Sequence, residues 1–550
     1  MTRSKAHRHG REPSFHKLHG LMPFMVREIL LCSSAYDAFL LEEDGRLEER
    51  LFSAYDALSL SLAPRITHAT TAAESLELLA GRHFDLVITV VRLQDTDAAD
   101  LSRRIHALDP RLPIVLLAFD EADPHSLPGG VLPSGIDRVF LWTGDARILI
   151  AAIKLVEDAR NADHDSQSAG VPIILVVEDS PRRYSSFLAL LYAELMAQSQ
   201  SLIAEGLNAI HRLMRMRARP KIVLATSYEE ALALYHRHED HLLAVLSDVR
   251  FPRAGREDPE AGLALVRTIH AAHPELPLLL QSADGGFEKP AAELGAWNVS
   301  KNSPTLLAQI RRFLKEALGF GDFVFRKPDG TEVGRAHDLY ELERLLRKVP
   351  PDSLEFHARA NHFSLWLKAR TMFSLAREVR PRTAGEFEDI EAIRRYLLDV
   401  LHRELSQEEE GLIADFVPTA APGRRFVRLG RGSIGGKGRG IAFANSFLVQ
   451  HGFDAFEELD IRIPRTLAIA VDEFDRFLER SNMNRDELIG RDDPALIRRF
   501  LAGELHPELR THLVHALETF TGPLAVRSSS LLEDSRFQPF AGIYATYMLP

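Results

Sequence analysis

Cysteine and long apolar runs are the two clearest absences in this chain of 550 residues. Cys32 is its only cysteine, so neither an intrachain disulfide nor a thiolate zinc cluster can form, which fits a reducing compartment. No apolar run approaches the roughly 20 residues that span a bilayer. We therefore expect a cytoplasmic protein without a membrane partner.

An excess of positive charge is also lacking, because the formal net charge is −11. This charge disfavours a general nucleic-acid-binding role. A hydrophobic content of 45% supports real cores, and the length predicts roughly three or four domains. Residues 1–25 are basic and lack the apolar core of a signal peptide, so we expect a disordered leader, with Met22 and Met25 as alternative starts.

The stretch 242–252, LLAVLSDVRFP, is an apolar run that stops at Asp248. Such a run is typical of a strand buried on both faces of a parallel sheet. Other predicted strands end at further polar residues, namely Glu178, Asp179, Ser282 and Lys301. Because ligands bind at the carboxyl ends of such strands, we expect these side chains to meet. Crowded carboxylates repel one another unless a cation joins them, which indicates Mg²⁺.

These residues resemble the receiver domain of bacterial response regulators. The likeness covers 171–318 and includes every functional position: Glu178, Asp179, Asp248 in D-x-x-x-P, Ser282 and Lys301. It implies that Asp248 accepts a phosphoryl group from a sensor histidine kinase or a phosphotransfer protein. It also implies that Glu178, Asp179 and Asp248 bind Mg²⁺. Lys301 and Ser282 would then contact the phosphoryl oxygens.

One departure from that family is the long stretch between Asp179 and Asp248. The excess lies in 183–219, where spaced apolar residues predict a lengthened first helix. We expect an extended surface helix, with a role in forming a homodimer as the alternative.

Residues 26–161 repeat the same order of strands and helices, which predicts a second doubly wound domain. The functional positions, however, hold Ser33, Ser34, Val90, Ala118 and Thr143. This copy resembles a degenerate receiver without a metal site or a phosphoacceptor. The polar stretch 161–170, NADHDSQSAG, is predicted to be a linker.

Residues 320–424 are predicted to form a hairpin and a helical connector. Asp329 and Gly330 favour a tight turn between two extended runs. His357 and His362 follow on helical patterns near Trp366. We expect these histidines to be packing or capping residues, with a phosphohistidine on an exposed helix as the alternative.

A glycine-dense loop within 425–550, RLGRGSIGGKGRG, is predicted to join a strand to a helix. This geometry exposes backbone N–H groups to phosphate. The Walker pattern fails, because Arg431 and Gly438 occupy two of its defining positions. Gly430, Gly432 and Gly435 satisfy G-x-G-x-x-G, but we expect no clean βαβ unit with a ribose-binding acid.

The ordered set GGKG, IPxTxxI, AVRSS, ED and FAG resembles the nucleotide-binding domain of phosphoenolpyruvate synthase and pyruvate phosphate dikinase. That family has an ATP-grasp-type fold, so the likeness implies a partial α+β domain of this type. It implies that ATP phosphates are bound by Gly435, Gly436, Lys437, Arg527 and Ser528. After FAG the sequence departs from the family at Ile543, Tyr544 and Ala545, and the remaining family domains are missing, so we expect a fragment of a longer protein.

Two functions follow from these resemblances. In the first, phosphorylation of Asp248 controls an ATP-dependent phosphotransferase of the dikinase type. In the second, the chain is a non-catalytic signalling adaptor whose carboxyl segment only binds nucleotide or a partner.

Overall fold

The computed structural model describes most of the chain in separate stretches: residues 20–41, 49, 52–53, 55, 63–120, 135–202, 215–283, 286–379, 389–411, 413–415, 426–451, 463–484, 492–518, 522–529 and 545–549. The fold divides into two compact units. One comprises the described residues up to Leu397, and the other comprises those from Leu398 onward. Across the described residues, every helix is too short or too polar to cross a membrane.

Five parallel strands form the first sheet, in the order β2-β1-β3-β4-β5. The strands are β1 (Glu28–Cys32), β2 (Arg65–Ala69), β3 (Leu86–Val90), β4 (Ile114–Ala118) and β5 (Arg138–Leu141). The helices are α1 (Ala35–Phe39), α2 (Ala72–Gly81), α3 (Ala98–Leu108) and α4 (Arg147–Ala169). Every residue of β3 and β4 is buried, as apolar runs in a doubly wound sheet require. The order is the flavodoxin-like one, so the predicted fold is confirmed.

The second sheet repeats this order as β7-β6-β8-β11-β12. Its strands are β6 (Ile173–Val177), β7 (Lys221–Ala225), β8 (Leu242–Asp248), β11 (Leu278–Ser282) and β12 (Trp297–Ser300). A small hairpin, β9 (Phe251–Arg253) and β10 (Arg256–Asp258), follows the central strand. The helices are α5 (Pro181–Ser201), α6 (Tyr228–His238), α7 (Ala261–Ala272), α8 (Glu288–Glu293) and α9 (Leu306–Glu316). The two sheets are therefore copies of one topology, as the internal duplication predicts.

Helix α4 runs straight through the predicted linker, so that prediction is wrong. The helix continues to Ala169 and ends at Gly170, which has a left-handed conformation. The polar residues of the stretch are buried: Asn161 and Asp165 have 0% exposure. Their side chains accept hydrogen bonds from buried groups, as buried polar atoms must.

The same helix corrects the predicted leader. The backbone N–H groups of Met22, Phe24 and Val26 donate to Asp165, Asn161 and Glu157, each at 3.0 Å. Leu21 and Met22 are buried as well. The described residues 20–25 are thus ordered along α4, and the prediction of disorder is wrong for them, while 1–19 lie outside the described residues.

A continuous hydrophobic core joins the two sheets, and α5 lies within it. Phe187, Leu191 and Leu195 on this helix are buried, so the predicted surface helix is wrong. Ser185 on α5 accepts a hydrogen bond from the Leu141 N–H of β5 at 2.9 Å. The helix is long, as predicted, and its inner face packs against the first domain. The predicted continuation at 203–214 lies outside the described residues.

The connector begins with the predicted hairpin, β13 (Phe323–Arg326) and β14 (Glu332–Ala336). Gly330 has a positive φ of 87° at its turn, a conformation that glycine adopts without strain. The helices are α10 (Leu339–Leu346), α11 (Pro351–Arg359), α12 (His362–Ala369), α13 (Phe373–Val379) and α14 (Ile390–Gly411). The helical sequence pattern of 354–379 is interrupted at Asn361 and Thr371, which both have a positive φ, so the region forms the three short helices α11, α12 and α13.

The unit at 398–550 contains two small sheets. A parallel sheet has the order β15-β16-β17, and its strands are β15 (Ala414–Asp415), β16 (Phe426–Leu429) and β17 (Thr466–Ile469). An antiparallel pair is formed by β18 (Leu524–Arg527) and β19 (Thr546–Leu549). The helices are α15 (Gly435–His451), α16 (Val471–Arg480), α17 (Asp493–Leu501) and α18 (Pro507–Glu518).

The lone cysteine gives a test of the first domain's core. Cys32 has 0% exposure at the end of β1, and burial raises the pKa of its thiol to about 12. Because the thiolate is the reactive form, we expect the native protein to resist iodoacetamide at pH 8 and to react fully in urea. Mass spectrometry measures the adduct, and rapid alkylation of the folded chain would contradict the burial.

Candidate functional site

Three carboxylates meet at the carboxyl edge of the second sheet. Glu178 and Asp179 follow β6, and Asp248 ends the neighbouring strand β8. One carboxylate oxygen from each residue lies within 4.8 Å of the others. A cavity of about 650 Å³ opens over them. The predicted convergence of the acidic side chains is therefore present.

Lys301 completes this cluster from the end of β12. Its ammonium contacts the carboxylate of Glu178 and lies 2.6 Å from Asp248 Oδ2. Its backbone N–H donates to the Ser282 carbonyl at 2.9 Å, which ties the lysine to the end of β11. Ser282 is among the residues that line the same cavity. Lys301 thus lies beside the carboxylates, and Ser282 lies in the wall of their cavity.

Burial governs the electrostatics of the cluster. Desolvation raises the pKa of Glu178 to about 7, while the ammonium of Lys301 opposes this shift and the charge of Asp248 adds to it. Desolvation also raises the pKa of Asp179. One lysine therefore does not compensate for three crowded carboxylates.

The donor set fits a hard divalent cation. Asp248 Oδ2 is buried and accepts no hydrogen bond from the described residues, although it forms ion pairs with Lys301 and Arg183. Carboxylate oxygens are the ligands that Mg²⁺ prefers. Glu178, Asp179 and Asp248 are the residues that would hold it.

Two residues of this site were not predicted from the sequence. Arg183, in the first turn of α5, places its guanidinium 3.7 Å from Asp248 Oδ2. Gly262, near the start of α7, donates its N–H to the Val249 carbonyl at 2.9 Å. The signal for Arg183 was its position one helical turn after the acidic pair; Gly262 gave no signal of its own.

Gly262 allows α7 to pack directly against the strand end that carries Asp248. A Cβ at this position would lie 2.0 Å from the Asp248 carbonyl oxygen. We expect Gly262→Ala to lower the free energy of unfolding by about 1–3 kcal/mol through overpacking and to displace Asp248. Chemical denaturation measures the first effect. Gly81→Ala is the control, since its Cβ would meet nothing within 4 Å.

The first sheet carries no comparable cluster in the stretches that the structure describes. Ser33 follows β1, Val90 and Ala118 end β3 and β4, and Thr143 lies just beyond β5. Ser33 contacts His68 at 2.9 Å rather than a carboxylate. The only group of three possible metal ligands among the described residues is the one in the second sheet.

The glycine loop of the carboxyl-terminal unit joins β16 to α15, as predicted. Strands β16 and β17 are parallel and α15 lies between them in the chain, so a βαβ order is present, which corrects that part of the prediction. The predicted lack of a ribose-binding acid stays a prediction. Asp472, at the start of α16, accepts hydrogen bonds from the N–H groups of Arg431 and Gly432 at 2.9 and 3.0 Å. The acid holds the loop's backbone in shape. It was not predicted from the sequence.

Ser529 brings the end of β18 onto the same loop. Its hydroxyl accepts from the Gly438 N–H at 2.8 Å and donates to the Ile434 carbonyl at 2.6 Å. A Cβ on Gly435 would lie 1.3 Å from the Ser529 carbonyl oxygen, so only glycine permits this approach. The GGKG and AVRSS motifs, distant in sequence, are thus adjacent.

The predicted phosphate ligands flank this contact. Gly435, Gly436 and Lys437 form the first turn of α15, and Arg527 ends β18 with an exposed side chain. Ser528 lies between Arg527 and Ser529, and it is Ser529 that bonds to the loop. The ED and FAG motifs, with Ile543 and Tyr544, lie outside the described residues, whereas Ala545 directly precedes β19.

The comparison with family models covers this unit. Residues 431–549 match the pyruvate phosphate dikinase AMP/ATP-binding domain. The match begins in the glycine loop and ends in β19, and it includes both halves of the loop contact made by Ser529. An ATP-binding module of that kind is therefore supported. No curated protein matches the chain significantly.

Three of the solved structures similar to the chain are reported by name. The signal receiver domain of an HD domain-containing protein from Pseudomonas fluorescens Pf-5 is 24% identical over 26% of this chain and 93% of its own, with a TM-score of 0.19. Response regulator protein TrrA from Thermotoga maritima, in complex with Mg²⁺ and BeF, is 18% identical over 21% of this chain and 87% of its own, with a TM-score of 0.17. A putative two-component response regulator/GGDEF domain protein is 16% identical, covers 53% of this chain and 98% of its own, and has a TM-score of 0.24. The fold itself rests on the strand order given above.

Proposed function

We propose that the second domain is a phosphorylation switch whose acceptor is Asp248, and that it controls an ATP-dependent phosphotransferase module in 425–550. The observation that supports the switch is the meeting of three carboxylates and one ammonium at a single sheet edge. A sensor histidine kinase or a phosphotransfer protein would be the donor.

The proposed chemistry is the transfer of a phosphoryl group to Asp248. A carboxylate oxygen of Asp248 attacks the phosphorus of a phosphohistidine, an O–P bond forms, and the P–N bond breaks with return of the electron pair to the imidazole. Lys301 and Arg183 supply positive charge for the phosphoryl oxygens. When bound, Mg²⁺ supplies further charge neutralisation through Glu178 and Asp179.

The proposed output follows from the added charge. A phosphoryl group brings nearly two negative charges and several strong acceptors to the site. Lys301 and the hydroxyl of Ser282 are placed to reorient toward it, because both lie at the ends of adjacent strands. Such a local change can bias an element with two arrangements.

The nucleotide site proposed for the other unit is built on the loop contact. The backbone of Gly435 and Gly436, at the start of α15, would meet the phosphates at the positive end of the helix dipole. Lys437 on the glycine loop and Arg527 at the end of β18 would each add a positive charge beside the contact between Ser529 and the loop. Ser528 is the proposed hydroxyl ligand.

Substitution of these cations gives a direct test. We expect Lys437→Ala and Arg527→Ala each to weaken ATP binding roughly tenfold or more, the usual cost of losing a charged hydrogen bond. Isothermal titration calorimetry measures the affinity. Arg510→Ala, an exposed residue on α18 with the same loss of charge, is the control. Unchanged affinity in both variants would remove the proposed site.

A second candidate is nucleotide binding without turnover. Among the described residues of 398–550, no group of three acidic or histidine side chains could hold a metal ion, and phosphoryl transfer requires such neutralisation. Release of AMP and inorganic phosphate from bound ATP distinguishes the two candidates. Turnover by the intact chain supports the phosphotransferase, and binding without turnover supports the adaptor.

A further inference from the structure

A second cavity lies at the opposite edge of the second sheet, between that domain and the connector. Its volume is about 1640 Å³. One wall contains the turns that precede β11 and β12, including Pro277 and Gly295, and the other contains residues of β13, α11 and α12. The cavity is therefore separate from the carboxylate cluster, which lies where the strands end.

Two histidines in the connector wall form a hydrogen-bonded chain. The backbone N–H of Arg326 donates to His357 Nε2 at 2.8 Å, and His357 Nδ1 lies 2.8 Å from His362 Nδ1. Burial lowers the pKa of His357 to about 3 and that of His362 to about 4, so both rings are neutral at pH 7. His357 is 4% exposed, which contradicts a phosphohistidine on an exposed helix and confirms the predicted packing role.

This chain determines where each proton lies. Because a backbone N–H can only donate, His357 Nε2 must be the acceptor, and the ring proton of His357 is on Nδ1. That proton is donated to His362 Nδ1, which places the proton of His362 on Nε2. Within the described part of the chain, His362 Nε2–H has no acceptor. The Nε2–H group of His362 is therefore oriented by its neighbours and is available to a ligand in the cavity.

Uncompensated positive charge lines the same cavity. Lys315, Arg326 and Arg377 all contribute to its walls. None of the three has a carboxylate within 4.0 Å among the residues described here. The charge of Arg326 also lowers the pKa of both His357 and His362, which indicates that its guanidinium lies near the rings.

Three acidic residues of the cavity walls, Asp322, Glu275 and Glu316, already have partners. Asp322 pairs with Arg335 at 3.3 Å and with His337 at 2.8 Å. Glu275 lies 3.5 Å from His273, and Glu316 pairs with Arg312 at 3.1 Å. They leave the charge of Arg326 uncompensated, and an anion would supply the missing partner.

We propose that this cavity binds a small organic or inorganic anion through its phosphate or carboxylate group, held by His362 Nε2–H and the guanidinium of Arg326. The bound anion would lie between the second domain and the connector helices. The proposal is independent of phosphorylation at Asp248 and of nucleotide binding, because it uses none of their residues.

Histidine-selective ¹⁵N NMR of the full chain tests the proposal at the site itself. The ring signals of His357 and His362 are assigned with His→Gln variants, and inorganic phosphate and succinate are the probes. We expect the free protein to show the Nδ1–H form of His357 and the Nε2–H form of His362. Either probe should move the His362 Nε2–H signal saturably, and the responding probe identifies the ligand's acid group.

Arg326→Gln should weaken this titration roughly tenfold, because it removes a charged partner of the anion. Arg359→Gln is the matched control, since Arg359 lines the same cavity but already pairs with Glu355 at 2.5 Å. The absence of a saturable shift with both probes would overturn the proposal. So would an equal loss of affinity in Arg326→Gln and Arg359→Gln.

Discussion

Asp248→Asn is expected to abolish phosphoryl labelling of the chain by acetyl phosphate in the presence of Mg²⁺. The substitution removes the nucleophilic oxygen while leaving an amide of nearly the same shape at the end of β8. The first domain cannot substitute for it, because Val90 occupies the corresponding strand end. Labelled protein is measured after gel separation, and hydroxylamine should release the label, as expected for an acyl phosphate.

Three comparisons make the labelling result decisive. Asp100→Asn, which removes a partly exposed carboxylate in the first domain, should keep full labelling. Asp179→Asn and chelation of Mg²⁺ should both lower it strongly, since each removes part of the proposed metal site. Equal labelling of the wild type and Asp248→Asn would show that the acceptor is another residue.

Arg219→Met is expected to lower the free energy of unfolding by about 3–5 kcal/mol, the usual cost of leaving one member of a buried ion pair alone. Arg219 is 2% exposed and makes a two-pronged contact with Asp158 on α4, with N–O distances of 2.8 and 2.9 Å. Its loss leaves the carboxylate with the Tyr192 hydroxyl and the Ile222 N–H as donors. Urea denaturation followed by circular dichroism measures the change.

The matched control is Arg103→Met. Arg103 pairs with Asp100 at 3.1 Å, but its side chain is 73% exposed, so the loss should stay below about 1 kcal/mol. The double variant Asp158→Asn/Arg219→Met removes both charges and should recover part of the loss. A similar small effect in Arg219→Met and Arg103→Met would mean that the buried pair contributes little.

The two central carboxylates of the cluster could be predicted from sequence because they come at the end of apolar runs. Four or five consecutive apolar residues define a strand buried on both faces, and the residues that follow then lie at the sheet edge. Glu178 directly follows such a run, and Asp248 follows one with only Ser247 between them. Lys301 follows the partly exposed strand β12 instead, so its place came from the family resemblance. The topology of parallel sheets converts their order along the chain into proximity.

The errors share a different physical cause. The sequence predicts a linker at Asn161 and Asp165 because polar residues without periodicity usually face water. Here they accept hydrogen bonds from buried N–H groups and a buried lysine, Lys221, which only tertiary structure supplies. The burial of α5 was missed for the same reason, since its apolar residues face a neighbouring domain as well as its own sheet.

Contacts between side chains and distant backbone were also beyond prediction. Asp472 and Ser529 stabilise the glycine loop by bonding to its N–H groups, and such pairs have no characteristic spacing in sequence. The motifs identified the loop and the strand end separately. Their adjacency, and the βαβ unit that carries the loop, required the fold.

The unbroken helix α4 has a practical consequence for anyone who divides the gene. A fragment that starts at residue 171 retains the whole second sheet but loses Asp158 and Asp165, leaving the cations of Arg219 and Lys221 without their carboxylates inside an apolar core. The charge balance of the second domain therefore depends on α4. Any recombinant protein that carries this domain has to include the helix.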